Sequence, residues 1–91
     1  MKEILLPYLN QKIGINYERA FKVEPATLIE VTDAYFSIRE DGGGNVHHFP
    51  FMGIVQIIEN PAGIRTGGLF SHKETFLVVV KVAHLTEYVP V

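Results

Sequence analysis

The chain has 91 residues, a formal net charge of -2 and no cysteine. That length holds one small domain with a single modest core. A disulfide framework and a thiolate metal site are excluded, and the acidic balance argues against broad, sequence-blind phosphate binding. The longest strongly apolar run, Phe76–Val80, falls far short of a membrane span. The opening MKEILLPYL lacks a small-residue cleavage site, so the expectation is a cytoplasmic chain with no signal peptide.

Ile4, Leu5, Tyr8, Leu9 and Lys12 recur at helical spacing and predict a helix over about 2–12, limited by Pro7 and ended by Gly14. From there β-branched and aromatic residues dominate, and turn residues punctuate them, so the rest reads as β. A first strand runs from Ile13 to about Arg19, with a bend at VEP, 23–25. A second runs from Ala26 to Thr32 and a third from Tyr35 to Glu40. DGGGN at 41–45 is a hairpin loop, because glycine and asparagine tolerate positive φ. It lacks the helix, lysine and Ser/Thr of a phosphate-binding P-loop. A fourth strand carries VHHFPFMGIVQIIE at 46–59, with Pro50 demanding an edge or a bulge. NPAGIRTGGLFSHKE, 60–74, is a long glycine-rich connection. The last strand is TFLVVVKVAHLTEYV, with Val78, Val80 and Val82 on one face and Leu77, Val79, Ala83 and Leu85 on the other. Apolar residues on both faces imply cover on both, the second from another subunit.

Within VTDAYFSI, 31–38, the alternation slips by one. Ile29 and Val31 place apolar side chains at odd positions, Phe36 and Ile38 at even ones. The slip predicts a tight bend between Thr32 and Tyr35. Asp33 is its expected holder, through an Asx-type turn, and Tyr35 is turned away from the core. Five short, bent strands predict a mainly β fold, a small barrel that leaves no exposed edge, with an open sheet on the helix as the competing architecture.

LPYLN at 6–10 resembles the helix that opens bacterial Hfq proteins, ring-forming RNA chaperones of the Sm-like class. ATLIEVTDAYFSI at 26–38 resembles the first Sm motif. Asp33 is its acid, Tyr35 its aromatic, Phe36 its bulky apolar residue and Ile38 its aliphatic, with Ser37 where asparagine is usual. The second Sm motif departs: Phe51-Met52-Gly53 keeps the small residue but has no arginine, lysine or histidine. The resemblance covers roughly residues 5–58. It implies a five-stranded Sm-like (SH3-like) barrel over about 13–89 in one domain, 1–91. It also implies pairing of the fourth and fifth strands between neighbours, closing a homo-oligomeric ring. In such a ring Tyr35 would stack an unpaired base of single-stranded RNA and Ser37 would hydrogen-bond its edge. Asp33 would shape that site. Beyond the stretch the resemblance covers, Arg65 in NPAGIRTGG, flanked by glycines, could reach a phosphate or a partner's carboxylate, or sit on a mobile loop tip. The rival reading is a scaffold or protein-interaction module that kept the ring and lost the RNA site, favoured by the acidic charge and the missing cation.

No other chemistry is organised in the sequence. His47 and His48 point to opposite faces of a strand and no histidine spacing matches a zinc site, so no metal and no cofactor are expected. Ser71 and His72 are adjacent, which places them poorly for a nucleophile–base pair. The expectation is a chain that is not an enzyme. Histidines near carboxylates at a subunit boundary would make assembly sensitive to pH.

Overall fold

The computed structural model describes residues 1–18, 22–66 and 74–83. The helix is shorter than its spacing predicts. α1 covers Lys2–Leu5 and passes into a single 3-10 turn, Leu6–Tyr8, with Pro7 at its start. A proline has no N–H to continue the α-ladder, which accounts for the change. Asn10, in the left-handed region at φ 66, redirects the chain. Its N–H donates to the Leu28 carbonyl at 2.7 Å. Gly14 therefore does not end the helix; it lies inside the first strand.

Six strands follow rather than five: β1 (Lys12–Tyr17), β2 (Val23–Val31), β3 (Tyr35–Glu40), β4 (Val46–Pro50), β5 (Ile54–Thr66) and β6 (Glu74–Val82). The segment read as one bent fourth strand is two strands, split by a 3-10 turn at Phe51–Gly53. The connection expected at 60–74 is strand as far as Thr66, and 67–73 lie outside the described residues. So do Arg19, Ser71 and His72, and the end of the expected last strand, 84–89. The VEP bend is instead the start of β2.

The strands form one mixed sheet in the order β4-β3-β2-β1-β6-β5, parallel only between β1 and β6. Its two edges, β4 and β5, are consecutive in the chain and joined by the three residues 51–53. Four Cα steps reach at most about 15 Å, whereas a flat six-stranded sheet is about 24 Å wide. The sheet must therefore curl. Tyr17 of β1 and Phe49 of β4 confirm it: their ring centroids are 6.3 Å apart, although strands three places apart in a flat sheet lie about 14 Å from one another. Among the described residues no ladder joins β4 to β5 and no further strand pairs with either, so in place of the expected closed barrel they form an open, curled sheet.

The concave face holds the core. Ile13 and Ile15 of β1, Ala26 and Leu28 of β2, Phe36 and Ile38 of β3, and Val78, Val80 and Val82 of β6 are buried there, with Leu5 of α1 as a plug. Phe36 stacks on Phe49 at 5.2 Å and on Phe51 at 6.5 Å, so the 3-10 turn is anchored by its phenylalanine. The β6 alternation holds as read for the three valines. Gly14 faces the other way. A Cβ there would stand 2.6 Å from Val23 Cγ1, with Val79 and Phe76 at 3.1 and 3.2 Å, so this glycine permits close packing on the convex side.

The phase slip is also placed differently. In the β2–β3 register Leu28 faces Ile38 and Glu30 faces Ser37, leaving Ile29 as one extra residue on β2. Leu28 faces the core before this bulge and Val31 packs against it afterwards. The slip thus lies inside β2, and the turn at 32–35 has no need to absorb it.

Candidate interaction site

Thr32 holds the turn between β2 and β3. Its Oγ1 accepts from the N–H of Ala34 at 3.2 Å and of Tyr35 at 3.0 Å, while its own N–H donates to the Tyr35 carbonyl at 2.8 Å. This hydroxyl-closed turn replaces the Asx turn expected of Asp33. Asp33 instead points outward and pairs with Lys2 Nζ at 2.9 Å, tying the N-terminus to the turn.

The same turn starts β3 with Tyr35 on the convex face, opposite the core. The antiparallel registers then line up Glu30 of β2, Ser37 of β3 and His48 of β4 in one row across that face. Ser37 is the one buried polar side chain among the described residues, with none of its surface exposed. Its Oγ lies 2.5 Å from His48 Nδ1 and 3.4 Å from Glu30 Oε1. A hydroxyl has one proton. With Ser37 donating to Glu30, its oxygen accepts from His48 Nδ1 in the tautomer that carries the proton there. Tyr35 completes the group: its ring and that of His48 meet in a T-shaped contact, centroids 5.8 Å apart. Hydrogen bonding toward the Glu30 carboxylate, its charge and partial desolvation push the Tyr35 phenol above its usual range.

Of the four residues expected to bind RNA, the structure brings Tyr35 and Ser37 together, but only Tyr35 is accessible. Asp33 stands at the nearby turn. Arg65 is on β5, paired with Thr75 and exposed, at the other edge of the sheet order. A buried Ser37 can neither reach a base edge nor serve as a nucleophile. Glu30 and Thr32 were not singled out by the sequence, and His48 only as a neighbour of His47. Thr32 carried a usable signal, since threonine also closes turns through its hydroxyl. Glu30 and His48 join the group only through strand register.

On the concave side His47 Nε2 lies 2.5 Å from Glu40 Oε1, and the His47 ring stacks on Phe49 at 6.1 Å. Among the described residues no three His, Asp or Glu side chains form a group able to hold a metal ion, and no described helix is long and apolar enough to cross a membrane. Apolar side chains are exposed beside both edges: Val46 on β4, Val55 and Ile58 on β5, and Met52 between them, the last 92% exposed.

No family model, no curated protein and no solved structure matches the chain.

Proposed function

We propose that this chain is a self-assembling module whose copies join edge to edge, the β4 edge of one copy pairing with the β5 edge of the next. The observation that carries this reading is the pair of edges that no described strand covers, flanked by exposed Val46, Met52, Val55 and Ile58. An unpaired strand edge is a template for another strand. Monomeric proteins blunt such edges with charges, proline or bulges. Here Pro50 ends β4 and irregularities at 54–56 and 59–64, the second with Pro61, interrupt β5, yet residues 54–58 carry no charged side chain and no proline. The edges differ from one another, so the contact is heterologous and repeats head to tail until it closes, as in an Sm-like ring. In this reading the chain is a cytoplasmic scaffold, binds no cofactor and performs no covalent chemistry. Sedimentation velocity tests it: the wild-type chain should run as a multimer, and Ile58→Lys, which places a charge beside the β5 edge, should shift it to monomer. A wild-type monomer at every concentration would overturn the proposal.

A second reading, single-stranded RNA held at Tyr35, is favoured by the position of that aromatic on a convex face beside an exposed histidine. Glu30 and Asp33 make the surroundings acidic, and Ser37 is buried away from any base edge. Under this reading a short oligonucleotide binds with affinity falling as salt rises, and Tyr35→Ala weakens it. No binding at low salt leaves the scaffold reading alone.

A further inference from the structure

Between the N-terminal 3-10 turn and the paired strands β5 and β6 lies a cleft of about 460 Å3, open to solvent and lined by Tyr8, Glu59, Asn60, Pro61 and Leu77. It owes one wall to an irregularity in β5. Glu59 pairs with Val78 and Ile64 with Phe76, so β5 carries three more residues than β6 across this interval. The excursion is held from within: Asn60 Oδ1 accepts from the Ala62 N–H at 2.9 Å, and Gly63 takes φ 93 where a Cβ would collide with Thr75. A bulge specified by an Asx turn and by a glycine no other residue can replace is a device for aiming neighbouring side chains.

The side chain aimed here is Glu59. Tyr8 donates its hydroxyl to Glu59 Oε1 at 2.6 Å, which fixes the carboxylate at the mouth of the cleft. No described cation pairs with it. Beside it Leu77 is left 46% exposed and Pro61 is exposed. A carboxylate of fixed orientation next to an unfilled apolar wall and an aromatic ring suits a cation carried on an aliphatic stem. Since Tyr8 occupies one carboxylate oxygen, the site offers the other to a point donor; the paired donors of a guanidinium would need both.

We propose that this cleft binds a primary alkylammonium group, with Glu59 taking the ammonium and Leu77, Pro61 and the Tyr8 ring taking the stem. Such a group comes either as a free amine or as a lysine side chain of a partner. The cleft is built within one copy, so the proposal stands or falls separately from self-assembly. The test is amide NMR of the nitrogen-labelled full chain titrated with n-butylammonium chloride. Saturable shifts at Glu59, Asn60, Ala62 and Leu77 are expected. Sodium chloride and n-butanol should not reproduce them, n-butylguanidinium should bind more weakly, and Glu59→Gln should weaken n-butylammonium about tenfold. The amide of that variant still offers Tyr8 an oxygen, so the cleft is expected to keep its shape. A blocked lysine tripeptide binding more tightly than n-butylammonium assigns a partner's lysine; equal or weaker binding assigns the free amine. Shifts that do not saturate, that n-butanol reproduces, or that survive Glu59→Gln undiminished would overturn the proposal, as would tighter binding of the guanidinium.

Discussion

Ser37 and His48 face one another across the β3–β4 pair, the serine hydroxyl fully buried and 2.5 Å from the imidazole Nδ1. This contact makes Ser37 a packing residue of the convex face rather than a reader of ligands. Ser37→Ala is expected to cost about 1 kcal/mol in urea unfolding, the net worth of a hydrogen bond. Ser37→Asn, the residue usual in the Sm motif, is expected to cost about 1–3 kcal/mol, because the larger amide must fit a space with no exposed surface. An asparagine variant as stable as the wild type would contradict this placement.

Thr32 and Asp33 exchange the roles that the sequence implies. Thr32→Val removes the hydroxyl that accepts from two backbone N–H groups, and should destabilise by about 1–3 kcal/mol. Asp33→Ala removes only an exposed ion pair with Lys2 and should change stability by no more than about 0.5 kcal/mol. Equilibrium denaturation of the two variants side by side decides between the turn devices, and the reverse ranking would restore the Asx turn.

Gly14 and Gly42 are a matched pair for the convex packing. A Cβ at Gly14 meets Val23 at 2.6 Å, while at Gly42 it meets nothing within 4 Å. Gly14→Ala is therefore expected to lower stability by about 1–3 kcal/mol through overpacking, and Gly42→Ala to be neutral or slightly stabilising through the unfolded chain. Thermal melts of both variants check the contrast.

Much of the local structure was legible in the sequence. β character was read from composition, the hairpin at 41–45 from its glycines, and the β6 core face from the spacing of Val78, Val80 and Val82. The helix was overestimated because Leu9 and Lys12 keep helical spacing beyond Pro7, while the residue that turns the chain, Asn10, looks like any polar surface position. The fourth strand was read as continuous because apolar residues run unbroken through Phe51 and Met52, although only Phe51 points to the core. The bulge at Ile29 and the row of Glu30, Ser37 and His48 were hidden for a common reason. Both depend on which residue faces which across strands, and a one-residue change of register moves every side chain to the other face.

Three tyrosines hold their protons more tightly than an unfolded chain does. Tyr8 is raised mainly by its hydrogen bond to Glu59, Tyr17 by burial and then by the charges of Glu24 and Glu40, and Tyr35 by hydrogen bonding toward Glu30, all from a starting value of about 10. A phenol whose folded value is raised contributes stability that is fully present below its unfolded value. That stability is lost as pH rises through the folded value. Tyrosinate absorbance should thus appear at higher pH in the native chain than in urea, and the urea midpoint should fall once pH exceeds the ordinary phenol range. Coincident titration curves would remove this contribution.

Self-assembly through the β4 and β5 edges is most directly tested by native mass spectrometry of the wild-type chain without nucleic acid. The account predicts one dominant closed multimer, which dissociates when Val55→Lys and Ile58→Lys are combined. A wild-type chain that flies only as a monomer, at concentrations where its fold is intact, would contradict it.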